Sequence, residues 1–463
     1  MENVIKKNKK SKYNIDMCSG NLFWKIIVFS IPLALMGMLQ LLFNAADLIV
    51  VSQFGDEENA IGAIGSTSTL INLSVTLFMG LSVGTNTLCA KYLGSKENDK
   101  ISTIVHTSIL ISAIIGVCLG IFGCIFTEQL LAMMNNYDPL SITYLRIYFI
   151  GMPFNLIYNF AAAILRAAGD TKRPLYILSF AGIINVLLNL LFVIGFKMNV
   201  DGVAYATIIS QLISCVLILI VLIRTNEAYK FSIKKCILSG KDLLQIIRIG
   251  LPAGIQGSIF SIANVIIQTA VNSFGDVVKN GNAAASSVEG FVYVAMNAVY
   301  MASLAFTSQN FGAKNEKNIK KTALYSLLIV TIIALSTGGG LFLFGEKVLH
   351  IYTQDTASIN VGYIRLHYLC LPYFLCGIMD VMVGILRGIG YSTMPMIVSI
   401  LGVCGVRILW IYTVFYPSTD FTNQNDLNLL YVSYPISWII TFIIHLICYF
   451  VVSKKVFKSF TKI

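Results

Sequence analysis

SIPLALMGMLQLLFNAADL (residues 30–48) and GLPAGIQGSIFSIANVIIQ (residues 250–268) decide the fold. Both are long apolar runs, and they share Pro32/Pro252, Gly37/Gly257 and Asn44/Asn264 at an offset of 220 residues. Three more blocks repeat in the same order. AKYLGSKENDKI (90–101) matches SQNFGAKNEKNI (308–319) at an offset of 218. YLRIYFIGMP (144–153) matches YIRLHYLCLP (363–372) at 219, and AILRAAGDTKRP (163–174) matches GILRGIGYSTMP (384–395) at 221. Four blocks in register with almost no slippage make the chain an internal duplication.

The rest of the sequence says where that duplication lives. Of its 463 residues, 56% are hydrophobic and 12% charged, about half the charge of a soluble domain. Mean hydropathy is +0.77. Apolar runs long enough to cross a bilayer, about 20 residues each, fall near 22–51, 59–90, 98–126, 138–166, 173–196 and 202–224, then 243–274, 284–310, 318–345, 358–386, 394–416 and 429–453. The expectation is an all-α membrane protein of twelve spans in two six-helix lobes. Residues 1–225 form an N-lobe, 226–242 a cytoplasmic linker and 243–463 a C-lobe. The first span is too long for a signal h-region and lacks a small-residue cleavage site, so no cleavable signal is expected.

Net charge is +11, and its placement speaks for topology. With both termini in the cytoplasm, the inward segments hold 26 Lys and Arg, from Lys6, Lys7, Lys9, Lys10 and Lys12 through Lys91, Arg166, Arg173, Lys234, Lys314 and Arg387 to Lys462. The outward loops hold Lys197, Lys279 and Lys347, with acids such as Asp56, Glu57 and Glu58. That is the positive-inside pattern, not a nucleic-acid footprint, and no nucleic-acid partner is expected. The ten cysteines show no metal spacing and mostly lie in apolar segments; they are expected to be small packing residues.

An even number of spans per half starts both halves on the same side. The repeat is then parallel, with a pseudo-twofold along the membrane normal, an architecture that encloses a path between two lobes. At this point several blocks resemble the multidrug and toxic compound extrusion (MATE) family: NAADLIVVSQFGDEENAIGAIG, ILRAAGDTKRPLYILSFAGIINVLLNLLFVIGF with GVAYATIISQ, and VEGFVYVAMNAVYMASLAFTSQNFGAKNEKNIKK. The resemblance covers nearly all the chain after residue 20. It implies an exporter of small molecules, mostly lipophilic cations, in exchange for H⁺ or Na⁺ by alternating access. It also implies a multi-pass protein of the inner (cytoplasmic) membrane acting as a monomer, with no cofactor beyond the coupling ion.

Acids inside a membrane are costly and are functional candidates by default. The spans hold three: Asp47 on the first, Glu289 on the eighth and Asp380 on the tenth. Asn185 and Asn189 lie four apart, on one helical face, and with Thr207 they reach the depth of Asp47 in the outer half of the N-lobe. The MATE resemblance puts its cation or proton site on these helices. Asp47, Asn185 and Thr207 match it, whereas Asn189 stands where several members carry an acid. The group either holds Na⁺ through its oxygens or titrates at Asp47.

In the C-lobe, Arg407 sits about 20 Å in from the cytoplasmic end of its span and needs a partner. By depth, Glu289 is expected to pair with Arg407, leaving Asp380 the more available acid. Gln256, Asn264 and Gln268 are candidates either to line the path or to make hydrogen bonds between helices. Arg146 and Arg365, at equivalent positions of the repeat, are expected to serve packing or snorkelling, and His106 and His445 a core role. Pro32, Pro153, Pro252 and Pro372 permit bends.

Other classes fit less well. The signature of major facilitators after their second helix is missing from KYLGSKENDK. A flippase of lipid-linked precursors shares the architecture but calls for more arginine and lysine at the lobe interface than Arg407. The sequence shows no HExxH, GxSxG or P-loop, and its loops leave no room for a catalytic domain. An enzyme is not expected.

Overall fold

The computed structural model describes residues 13–54, 60–134, 136–423 and 426–460. Lys6, Lys7, Lys9, Lys10, Lys12, Asp56, Glu57, Glu58 and Lys462 fall outside them. Among the described residues the chain is helical, with no strand. The first half runs α1 (Leu22–Phe54), α2 (Ala60–Ser95), α3 (Asn98–Ala132), α4 (Pro139–Ala167), α5 (Lys172–Leu190) and α6 (Val200–Arg224). A π turn, Leu191–Gly195, extends α5. The second half runs α7 (Gly240–Asn272), α8 (Asp276–Gly312), α9 (Glu316–Leu349), α10 (Thr356–Leu369) and α11 (Tyr373–Gly388). It ends in α12 (Thr393–Ser399), α13 (Val406–Trp410), α14 (Tyr416–Ser418) and α15 (Leu427–Phe460).

Eleven of these stretches are long and apolar enough to cross a membrane. The twelfth is α10 with α11, bent by 53° at a short break beside Pro372, whose missing N–H cannot continue the ladder. The eleventh span is also interrupted. π turns at Ile400–Gly405 and Ile411–Phe415 isolate the five-residue α13 between them.

The two halves make reciprocal contacts. A Cβ on Gly94 would overlap the Gln309 carbonyl oxygen, and one on Gly312 would overlap that of Lys91. The repeat equates Gly94 with Gly312 and Lys91 with Gln309, so these are one contact made twice. Gly37 against Val294 and Gly257 against Thr76 are another such pair. Self-complementary contacts of this kind are what a twofold axis produces, and here it runs between α2 and α8. The first helix of each half packs across the boundary. Leu22, Ile26, Phe29 and Leu33 of α1 join the core of α8–α11 and α15, while Ile246 and Ile249 of α7 join that of α2–α4 and α6.

One end of the bundle is tied shut. Residues 13–21 form a strap whose Ile15 N–H donates to the Gly169 carbonyl at 3.1 Å. Gly169 turns with φ +91°, and a side chain there would overlap Ile15. Asn14 donates to Tyr229 Oη at 3.1 Å, while Asn310 and Asn318 donate to the Met17 and Cys18 carbonyls at 2.9 and 2.7 Å. The strap thus gathers the α4–α5 turn, the linker and the α8–α9 turn at the basic end. His106 fixes the linker too: its Nε2 accepts the Ser232 N–H at 3.0 Å. His445 Nε2 lies 3.0 Å from Ser399 Oγ.

Candidate functional site

Three connected chambers form a cleft between the halves. The N-half chamber, about 500 Å³, is lined by Asn44, Asp47, Tyr144, Asn185, Thr207 and Gln211 among others. The C-half chamber, about 620 Å³, is lined by Asn264, Gln268, Glu289, Asp380, Arg407 and Trp438 among others. A floor of about 470 Å³ joins them, sharing Gln40, Thr76 and Asn159 with the N-half chamber and Tyr293 and Asp380 with the C-half chamber. These volumes suit small organic molecules.

In the N-half chamber the structure brings the four polar residues of α1, α5 and α6 together. Asn189 Nδ2 donates to Asp47 Oδ1 at 2.5 Å and lies 3.4 Å from Asn185 Oδ1. Asn185 Nδ2 reaches Thr207 Oγ1 at 3.5 Å, and Thr207 donates to the Val203 carbonyl at 2.9 Å. Helical spacing makes this possible, since residues four apart on α5 share a face, which sets Asn189 against Asp47 of α1 and Asn185 against Thr207 of α6. Asn189 Oδ1 is buried without a hydrogen-bond partner. As placed, the Asn189 amide turns its nitrogen to Asp47 and Asn185. A cation site would need that amide turned over, so that its oxygen joins the Asp47 carboxylate, Asn185 Oδ1 and the Thr207 hydroxyl, the oxygen donors a hard cation takes. The same carboxylate can take a proton instead. Among the described residues no cluster of three or more His, Cys, Asp or Glu suits a transition metal.

The C-half chamber corrects the expected pairing. Glu289 does not pair with Arg407; it holds Arg365 in a two-pronged ion pair, Nε to Oε1 at 2.9 Å and Nη2 to Oε2 at 2.7 Å. Arg365 Nη1 donates to Asn282 at 2.7 Å. Arg365 therefore neither snorkels nor merely packs. Depth alone could not show this, because Glu289 faces α10 and not α13 around the axis of α8. Arg146, its repeat equivalent, pairs at 2.9 Å with Glu128 on the exterior, both well exposed.

Arg407 is 6% exposed. Its Nε donates to Ser437 Oγ at 2.9 Å, and its guanidinium carbon lies 4.0 Å from the Tyr434 ring centroid and 5.4 Å from that of Trp438. Asp380 makes no hydrogen bond or ion pair among the described residues and faces both the floor and the C-half chamber. Asn264 is exposed on the wall of that chamber.

Two residues of the floor escaped sequence reasoning. Arg166 and Arg387, counted above with the cytoplasmic loops, lie inside α4 and α11 and line the floor. Arg387 is 4% exposed and donates to Tyr300 Oη at 2.6 Å and Gln256 Oε1 at 2.8 Å. Gln256 is thus an anchor for Arg387. The repeated LR in AILRAAGD and GILRGIGY was the available signal, since an arginine kept in both copies need not be a topology marker.

Comparison with known proteins identifies the family and the fold. The MatE family model matches residues 32–191 and again 252–413, one match in each half. Probable multidrug resistance protein YpnP of Bacillus subtilis (strain 168) is 27% identical over 389 residues, 83% of this chain and 87% of that protein. Probable multidrug resistance protein YoeA of the same organism is 24% identical over 98% of this chain and 97% of its own length. In structure, the chain resembles an outward-facing multidrug resistance MATE family transporter of the MOP superfamily. The TM-score is 0.87 at 21% identity, over 98% of this chain and all of that one; at that identity the likeness shows the fold alone. With its family model matched in both halves, the chain belongs to the MATE family of membrane transporters.

Proposed function

We propose that this chain is a multidrug exporter that moves lipophilic small molecules, cations foremost, out of the cell in exchange for H⁺ or Na⁺. The observation that carries the reading is the cleft itself. An acid with three oxygen-bearing neighbours lines its N-half wall, and an aromatic, partly charged chamber continues from it through a shared floor. The curated relatives named as multidrug resistance proteins support it. An enzyme does not fit this family, and the relatives named as multidrug resistance proteins favour export over a flippase of lipid-linked precursors.

In this reading Asp47, Asn185, Asn189 and Thr207 exchange the coupling ion, and the C-half chamber takes the cargo. Residues 1–225 and 243–463 rock against each other across the linker 226–242. Both termini lie in the cytoplasm of a cell with the chain in its inner membrane, and one chain suffices. The strap and the Gly94/Gly312 contact hold the cytoplasmic end closed. One cation entering down 100 mV supplies about 2.3 kcal/mol, enough for roughly fifty-fold accumulation of a neutral cargo.

Purified protein in proteoliposomes loaded with ethidium tests this. An imposed Na⁺ or pH gradient, applied separately, is expected to drive dye movement with one of the two ions. Dye movement indifferent to both gradients would refute ion-coupled export.

A further inference from the structure

Arg407 is the cation of the C-half chamber that the fold leaves uncompensated. The three nitrogens of Arg365 are all engaged by Glu289 and Asn282, so the nearby acid is spent. Arg407 keeps a single hydrogen bond, from Nε to the neutral Ser437, and its Nη2 is buried with no partner. Among the described residues it joins no ion pair. Stacking on Tyr434 and Trp438 offsets part of the desolvation, but a buried unpaired charge costs more than such contacts return. A purely structural role would be served by an apolar side chain.

Local backbone geometry points the same way. Arg407 stands on α13, with π turns before and after it. π turns are rare and gather at functional sites. The equivalent stretch of the first half has only the second of these turns, Leu191–Gly195. The extra turn widens the helix just before the one arginine that lines the chamber without a counter-charge.

We propose that Arg407 is an anion subsite of the cargo chamber. Its free edge takes a carboxylate or phosphate of an amphipathic aromatic molecule whose rings lie among Tyr293, Tyr373 and Trp438. A guanidinium edge matches such planar oxyanions in a way an ammonium does not. With Asp380 in the same chamber, the preferred cargo is zwitterionic: its anionic group goes to Arg407 and its cationic group to Asp380. This rests on the export reading above and narrows it from lipophilic cations to molecules that also carry an acid.

The test uses rhodamine B, an aromatic zwitterion with a free carboxylate, and its methyl ester, which keeps the cation and blocks the acid. Binding to the full chain in micelles is followed by fluorescence anisotropy. Arg407→Gln is expected to weaken rhodamine B about tenfold, the scale of one charge-assisted hydrogen bond, and the ester by less than about twofold. Arg407→Lys keeps the charge and the fold, and is expected to give an intermediate preference for the acid. Equal losses for acid and ester, or an unchanged preference in Arg407→Lys, would overturn the subsite while leaving export standing. Failure of the unmodified chain to bind either dye would overturn the export reading and the subsite together.

Discussion

The first and second halves share a scaffold and differ in where they keep their charges. Arg166 and Arg387 occupy equivalent places and both line the floor. Elsewhere the copies part. Arg146 is exposed beside Glu128, whereas Arg365 is locked between Glu289 and Asn282. Asp380 stands where the first half has Asn159, and Asp47 stands where the second has Ile267. Duplication supplied the twofold contacts of α2 and α8. The first half keeps its intramembrane acid near the C-terminal end of α1, and the second keeps Glu289 on α8 and Asp380 on α11. Two different chambers on one frame allow ion and cargo to occupy separate places.

The largest stability effect is expected from breaking the buried ion pair. Glu289→Gln leaves Arg365 charged and unpaired in the membrane interior, at a cost of about 3–5 kcal/mol, read as a marked fall in thermal unfolding temperature. Next come the twofold glycines. Gly94→Ala and Gly312→Ala each push a methyl into a facing backbone carbonyl, costing about 1–3 kcal/mol by overpacking. The two are expected to cost the same within error, and a clear difference would argue against a true twofold there. Smallest is Glu128→Gln, which removes the exterior partner of Arg146 and should cost under about 1 kcal/mol. If Glu128→Gln destabilised as much as Glu289→Gln, the contrast between the halves would collapse.

Much of this was legible in the sequence, for physical reasons. Span number and the gathering of basic segments at one end follow from hydropathy and from Lys and Arg placement. The Asp47 cluster was legible because helical spacing fixes both depth and face on α5. The partner of Glu289 was not. Depth is one coordinate, and the rotation of α8, together with the bend at Pro372 that swings α10, decides which arginine it meets. The π turns around Arg407 left no residue signature: ILGVCG and IYTVF read as ordinary apolar helix. Arg166 and Arg387 were read as loop residues because charges near span ends usually are; Arg387 is held inside by Tyr300 and Gln256, which lie on other helices.

Division of labour between the chambers is tested most directly by Asp47→Asn in proteoliposomes, with dye binding and gradient-driven efflux measured on the same preparation. The expected result is ethidium binding close to that of the unmodified protein and efflux reduced to the level of empty vesicles. Full gradient-driven efflux by Asp47→Asn would contradict the assignment of the coupling ion to the first half.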